Sequence, residues 1–354
     1  MYFYLLMDFA PRTYMQRCLD LARLGAGKVS PNPLVGAVLV CENKIIGEGY
    51  HEKFGEAHAE VNAIAQVKDK HLLSKSTLYV SLEPCSHFGK TPPCADLIIE
   101  KKIPQVIIAT QDPFKQVNGS GIEKLISAGV KVETGLLNEE SKELNKRFFT
   151  YNISSRPYVI LKWAQSADGY LFSSQADKQI SNSYSTTLVH QWRHEEDAIL
   201  VGFNTALNDD PQLNVRHWQG KNPLRCVIDP NLALPSLLRI FDNSTPTIIY
   251  NYSRSEVQDQ LTFVKLNPTK PLVSQILSDL FTRRVQSLMI EGGSRTLAHF
   301  IEAEMWDEAR IITATDKFFG QGIIRPELKG DLVHQQTLHN DLLSILKNPS
   351  HPVL

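Results

Sequence analysis

Apolar side chains fall at Met15, Cys18, Leu19 and Ala22, with Thr13 ahead of them and Gly25 behind. That spacing predicts an amphipathic helix over residues 13 to 24, capped by Thr13 and stopped at Gly25. The period then changes. "LVGAVLVCENKIIGEGY" holds two short β-prone runs around a polar turn at Glu42 to Lys44, which predicts a hairpin. A helix at 58 to 68, a strand at 76 to 82, a helix at 94 to 102 and a strand at 104 to 110 follow, and such alternation predicts a helix-covered sheet.

Near residue 150 the polar, Ser-containing "TYNISSR" leads into a new strand beginning at Pro157. Beyond it "DAILVG", "LRCVID", "PTIIYNY", "SLMIEGG" and "EARIIT" read as buried strands separated by helical or irregular segments. The expected organisation is therefore two α/β domains, residues 1–150 and 151–345. Residues 320 to 354 carry only a weak pattern, and neither an internal repeat nor a low-complexity tract is evident.

Composition narrows the classes. The chain has 354 residues, 42% apolar and 21% charged, enough for two ordinary cores. With 37 basic against 38 acidic residues there is no broad attraction to a long nucleic acid, so small substrates are expected. "MYFYLLMDFAPR" lacks a basic leading region and is too short for a secretion signal or a membrane span, and Met7 is an alternative start; a cytoplasmic protein is expected. The odd set Cys18, Cys41, Cys85, Cys94 and Cys226 argues against a disulfide framework and leaves thiolates free for metal.

His58, Cys85 and Cys94 supply the imidazole and thiolates that a catalytic zinc uses when its fourth position is kept for water. Strand "STLYVSL" would deliver Cys85 at its end, and Pro92-Pro93-Cys94 reads as a helix start, where a thiol deprotonates more readily. On a helix Glu60 lies roughly 200° around from His58, so it is read as a proton carrier and not a ligand. The competing readings are a structural zinc with His87 as fourth ligand, or an exposed His-Ala-Glu pair beside an ordinary Pro-Cys turn.

The His-x-Glu and Pro-Cys elements resemble the zinc-dependent nucleobase deaminases, except that the gap between cysteines is the eight residues "SHFGKTPP". Together with "SPNPLVGAVLV", "GEGYH", "GEAHAEVNA" and "QDPFKQVNGSGI", that loop is similar to the deaminase half of the bifunctional riboflavin biosynthesis family. The resemblance implies a cytidine deaminase-like three-layer domain that deaminates 2,5-diamino-6-ribosylamino-4(3H)-pyrimidinone 5′-phosphate with Zn2+, Glu60 relaying the proton. It also implies substrate contacts at Asn32, His51 and Asp112, and at Lys90, a point cation suited to a phosphate. Two positions after Asp112, some relatives carry Asn where this chain has Phe114.

In the second half "SLMIEGGSRTLAHFIEA" reads as strand, Gly292-Gly293, then helix, a place where backbone N–H groups can hold an anion. The G-x-G-x-x-G fingerprint is missing, so a Rossmann domain is not indicated. "ILKWAQSADGY", "RHEEDAILVGFNTALNDDPQLNVR", "VID" and "IEGGSRTL" resemble the reductase half of the same family, which implies a dihydrofolate reductase-like domain using NADPH to reduce the ribosyl to a ribityl chain. The resemblance places Ala164, Gly293, Ser294, Arg295 and Thr296 against NADPH. It places Arg193, Thr205, Asp209, Leu213, Arg216 and Glu291 against substrate, the guanidinium forks suiting a phosphate. Lys162, Asp209 and Glu291 are candidates to polarise or protonate the opened sugar; the bland alternatives are a strand-end salt bridge for Lys162 and a helix cap for Asp209. Gln179 stands where relatives often have Trp, and Pro230 where some have Ser.

Two other readings compete with a bifunctional enzyme: a deaminase with a scaffolding second half, and a nucleic-acid-editing protein, which the absence of a dense basic run disfavours. Neither a membrane nor a nucleic acid is an expected partner, and a homo-oligomer is expected from the family.

Overall fold

A computed structural model describes residues 2–86, 92–114, 117–175 and 179–351. The chain divides into two compact units between Ser154 and Ser155.

The first unit runs α1 (Tyr2–Arg23), β1 (Gly36–Cys41), β2 (Lys44–Tyr50), α2 (Ala59–Gln66), β3 (Thr77–Leu82), α3 (Cys94–Glu100), β4 (Gln105–Thr110), α4 (Ser120–Ser127), β5 (Lys131–Thr134), α5 (Asn138–Leu144) and α6 (Lys146–Ser154). Its sheet has the order β2-β1-β3-β4-β5, with β1 antiparallel to both neighbours and β3, β4 and β5 parallel. The β1–β2 turn is made by Glu42 and Asn43, both at positive φ (49° and 60°), the twist that suits a two-residue hairpin.

Strand alternation sorts this core. Ala37 and Leu39 pack with Ala59 and Ala63 of α2, Ala95 and Ile98 of α3 and Leu125 of α4. Val38 and Val40 face the other way, onto Met15, Cys18 and Leu19 of α1 and Leu137 at the start of α5. The result is the expected three-layer α/β arrangement, with helices on both faces of the sheet.

Three expectations are corrected. The first helix begins at Tyr2 and passes through Pro11, so Thr13 lies inside it and is not its cap; the proline ring fixes a helical φ, and the chain keeps turning although one N–H donor is lost. The predicted helix at 58 to 68 spans only Ala59–Gln66, with His58 extended at its N-cap (φ −75°, ψ 164°). The weakly patterned tail contains strands, described next.

The second unit runs β6 (Tyr158–Ser166), β7 (Tyr170–Phe172), α7 (Ser183–Glu195), β8 (Ala198–Gly202), α8 (Phe203–Asp209), β9 (Leu224–Ile228), β10 (Thr247–Asn251), β11 (Glu256–Gln258), β12 (Leu261–Lys265), α9 (Leu272–Thr282), β13 (Ser287–Ile290), α10 (Ser294–Glu302), β14 (Glu308–Ala314), β15 (Ile323–Ile324), β16 (Asp331–Leu338) and β17 (Asp341–Lys347). Ten of these strands form one sheet, β11-β12-β10-β9-β8-β13-β6-β14-β17-β16, parallel from β12 to β14 and closed by the antiparallel β17 and β16. One face packs Val159, Leu161, Leu200, Leu288 and Ile290 against Ile276, Leu280, Leu297 and Phe300 of α9 and α10. The other packs Ile160, Ile199, Val201, Val227 and Met289 against Val189 and Trp192 of α7.

Candidate functional site

Short backbone breaks build the first constellation. His58 precedes α2, Cys94 opens α3 behind the N-cap Pro93, and Cys85 sits where the chain leaves β3. The Cys94 backbone N–H donates to Cys85 Sγ (3.3 Å), and the Ala95 N–H to the Cys85 carbonyl (3.1 Å), tying the strand exit to the helix start. His58 Nδ1 lies 3.5 Å from Cys85 Sγ and 3.3 Å from Cys94 Sγ, and the three donor atoms lie within 4.8 Å of one another. A tetrahedral zinc with bonds of about 2.0 to 2.3 Å needs its donors roughly 3.5 to 3.8 Å apart, so the residues fit the ion. Imidazole and thiolate are also the donors zinc prefers. Among the described residues no fourth His, Cys, Asp or Glu joins the group. His87, the alternative fourth ligand, and Lys90, the expected phosphate contact, lie outside the described residues.

The Cys94 thiol, donating to Cys85, and His58 beside it hold the Cys85 thiol down at about 4, as thiolate. Glu60, in the first turn of α2, is 3% exposed and exchanges a hydrogen bond with Cys94. Because His58 is extended and outside the helix, the 200° rotation does not separate the two side chains as the sequence suggested; Glu60 stands beside the group all the same. Burial pushes its carboxyl up to about 7, which suits a proton carrier at neutral pH.

Asn32 and His51 meet beside this group. His51 Nδ1 donates to the Ala57 carbonyl (3.0 Å), which leaves Nε2 to accept from the Asn32 amide (3.1 Å), and the His51 ring stands edge-on to His58 at 5.4 Å. Asp112 follows β4; its Oδ1 accepts the Phe114 N–H (2.8 Å), and burial pushes its carboxyl up to about 7. The Phe114 side chain packs toward Leu82, Phe148 and Phe149. Its backbone is what Asp112 uses.

Sequence reasoning passed over Glu83. Its two oxygens accept four backbone N–H groups, from Asp112 (3.2 Å), Gly119 (3.0 Å), Gly121 (2.9 Å) and Ile122 (3.3 Å). The residue before Pro84-Cys85 thereby pins the Asp112 loop to the exit of β3. An acid at the end of an apolar strand was the available signal.

In the second unit all twelve predicted residues line one cleft of about 1310 Å³: Lys162, Ala164, Arg193, Thr205, Asp209, Leu213, Arg216, Glu291, Gly293, Ser294, Arg295 and Thr296. Gln179 and Pro230, where this chain departs from its relatives, line it too. Single-ligand pockets run to about 1,000 Å³, so the cleft has room for two molecules side by side. β13 pairs with β6 and β8, which brings Glu291, just past β13, beside Lys162. Arg193 Nε and Nη2 donate to Glu291 Oε1 and Oε2 (2.8 and 2.9 Å), and Lys162 Nζ stands 3.5 Å from Oε2. Burial works to raise the Glu291 carboxyl, but the two cations hold it down at about 2. Burial lowers the Lys162 ammonium from its ordinary value.

Gly293 is the N-cap of α10, and its N–H donates to Thr205 Oγ1 (2.9 Å). A side chain at Gly292 would overlap Thr296, so the glycine gives the turn its close approach, and Arg295 beside it is exposed. Open backbone at a nine-residue helix start with a neighbouring cation fits a dinucleotide phosphate. Arg216 is exposed and donates to the neutral oxygens of Gln212 (3.2 Å) and Asn214 (2.9 Å). Leu213 is buried at φ 51°, and Asp209 is the exposed last residue of α8, a position that does not match an N-terminal cap. His190, 2% exposed on α7, also lines the cleft and was not foreseen; its place three residues before Arg193 was the signal.

A His/Cys/Cys trio with donor spacing that fits zinc, beside a buried carboxyl on a three-layer sheet, has the parts of a metal-dependent deaminase, and the second, parallel-sheet unit carries a large cleft of its own. Two family patterns match the chain: the cytidine and deoxycytidylate deaminase zinc-binding region over residues 10–110, and the RibD C-terminal domain over 157–347. The riboflavin biosynthesis protein RibD of Aquifex aeolicus is 41% identical over 321 residues, covering 88% of each chain. The crystal structure of a diaminohydroxyphosphoribosylaminopyrimidine deaminase/5-amino-6-(5-phosphoribosylamino)uracil reductase from Thermotoga maritima superposes with TM-score 0.88 at 35% identity, covering 96% of this chain and 99% of that one. Acinetobacter baumannii RibD gives 0.86 at 30% identity, covering 96% and 98%. The chain belongs to the RibD family of riboflavin biosynthesis enzymes, which join a deaminase to a reductase. Among the described residues no helix is long and apolar enough to cross a membrane.

Proposed function

We propose that the first unit, about residues 1–150, deaminates 2,5-diamino-6-ribosylamino-4(3H)-pyrimidinone 5′-phosphate and that the second, about 151–345, reduces the ribosyl group of the product with NADPH. The convergence of His58, Cys85 and Cys94 beside the buried Glu60 carries the first half of this reading. A zinc ion held there supplies an acidified water near neutral pH. With the ion in place, Glu60, poised near 7, would carry protons one at a time: the first from the water to the ring nitrogen as oxygen bonds to the ring carbon, the second from the added hydroxyl to the amine, which leaves as ammonia when its C–N bond breaks. Asn32, His51 and Asp112 orient the pyrimidine, and Lys90 meets the phosphate.

In the second unit NADPH supplies the hydride. The α10 start, Gly293 to Thr296, with Ala164, would hold the cofactor. Lys162, kept acidic by burial and oriented by Glu291, hands a proton to the sugar oxygen. Asp209 is the second proton donor in reach of the cleft, and Thr205 and Leu213 shape its wall. Arg193 spends two of its donors on Glu291, so Arg216, whose partners are neutral, is the fork that meets the substrate phosphate.

The protein works in the cytoplasm on small molecules, without nucleic acid or membrane. It assembles as a homo-oligomer, which the eight-residue edge strand β16, exposed along nearly its whole length, supports. The test is metal content with both activities, in Cys94→Ala and Glu60→Gln. Cys94→Ala should lose zinc and ammonia release together. Glu60→Gln should keep near one zinc per chain while ammonia release falls by about 10²- to 10⁴-fold, and both should keep NADPH oxidation when given the deaminated product. Zinc retained in Cys94→Ala would move the ligands elsewhere.

A further inference from the structure

Three side chains on one face of α7 grip the loop that carries Arg216. His190, Arg193 and His194 stand at the i, i+3 and i+4 spacing of a helix face. His190 Nδ1 accepts the Arg216 backbone N–H (3.1 Å), Arg193 Nη1 donates to the Asn214 carbonyl (3.2 Å), and His194 Nδ1 accepts the Lys221 N–H (3.0 Å). The loop needs such holding. It leaves the core through Leu213 at positive φ and is exposed from Arg216 to Lys221. A backbone N–H is only a donor, so a ring that accepts it at Nδ1 carries its own proton on Nε2 and is neutral. Burial first, then Arg193, Arg216 and His217, hold the His190 imidazole down at about 4, which keeps it in that state. The His217 ring packs edge-on against it at 4.8 Å, closing the same corner of the cleft.

We infer that His190 is a positioning residue of the reductase: its Nδ1 fixes the backbone at Arg216 so that the guanidinium is presented to the phosphate of the substrate. The inference rests on the reading of Arg216 as the phosphate contact. A side chain that only filled space would be replaceable by any apolar group of its size, whereas one acting through an acceptor atom is replaceable by another acceptor at the same place. The side-chain oxygen of asparagine reaches where the imidazole Nδ1 stands; leucine fills the volume without an acceptor.

The experiment measures NADPH oxidation by the full chain with His190→Leu, His190→Asn and Arg216→Ala, against the phosphorylated substrate and its dephosphorylated counterpart. Arg216→Ala should raise KM for the phosphorylated substrate alone, and no such rise would overturn the phosphate reading itself. Given that rise, His190→Leu should raise the same KM about tenfold, with kcat and the KM for NADPH within about twofold. His190→Asn should recover to within about threefold of the parent. If Arg216→Ala discriminates but His190→Leu does not, or if Asn fails to rescue, the positioning role is overturned. A matching rise in the KM for NADPH in His190→Leu would mark a general collapse of the cleft and would overturn it as well.

Discussion

Replacing Glu291 by glutamine tests the charge arrangement of the second unit. The substitution keeps the shape of the side chain and removes the one anion between Lys162 and Arg193. A carboxyl held at about 2, where the ordinary value is 4.5, contributes about 3 kcal/mol to folding at neutral pH. Breaking a buried pair by taking away one partner costs about the same, 3 to 5 kcal/mol. The direction with pH follows from the depressed value. The contribution is complete above about 4.5, the unfolded value, and is lost as the pH falls toward about 2, the folded one, so less than half should remain at pH 3. All four tryptophans, Trp163, Trp192, Trp218 and Trp306, lie in the second unit, so their fluorescence reports its unfolding alone. For a unit of this size urea unfolds with a slope of about 2 to 3 kcal/mol per molar. Glu291→Gln should therefore lower the urea midpoint at pH 7 by about 1 to 1.5 M. The gap to the parent should narrow by pH 3. An unchanged midpoint at pH 7, or a gap that widens on acidification, would refute the reasoning.

Two further outcomes separate the units and the walls of the cleft. Dialysis against a strong chelator should abolish ammonia release, be reversed by added zinc, and leave NADPH oxidation within about twofold when the deaminated product is supplied; loss of NADPH oxidation with that product present would contradict two independent sites. A Cβ placed at Gly202, the N-cap of α8, would overlap Thr296 Oγ1 in the first turn of α10. Gly202→Ala should then cost the second unit about 1 to 3 kcal/mol by urea unfolding, and adding Thr296→Ala should restore most of it, since the Thr296 Cβ lies at an ordinary 3.5 Å.

What could be read from the sequence was what local chemistry dictates. The trio His58, Cys85 and Cys94 spans only 37 residues, and each member sits at an element boundary that proline or a strand end announces. The parallel strands of both units are short runs of buried β-branched and aliphatic residues, and these were located to within about a residue where both ends were proposed, as for β3 and β4. The closing hairpin was missed for the opposite reason. β16 is an edge strand exposed along both faces, so its polar "DLVHQQTL" shows no alternation, and β17 is only half buried. Nor could the sequence show Glu291 clasped by Arg193, 98 residues away, since that pairing is made by the order of strands in the sheet. His190 offered only its place three residues before Arg193: its partner is a backbone N–H, and no residue type announces one.

Where several parts of both sites lie follows from one property of parallel sheets. Neighbouring strands that run the same way all end on the same edge, and there the chain must turn away with its backbone groups unpaired. Cys85 follows β3 and Asp112 follows β4, and Glu83 takes up four N–H groups left open after β4, at Asp112 and around the start of α4. In the second unit Glu291 follows β13, Thr205 lies in the first turn of the helix that follows β8, and Pro230 comes two residues after β9. The core residues of these strands fix the edge, and the loops beyond it are free to carry chemistry. A deaminase and a reductase can thus be set on unrelated strand orders by the same means: buried aliphatic runs that end together, and polar residues placed one to three positions past the end.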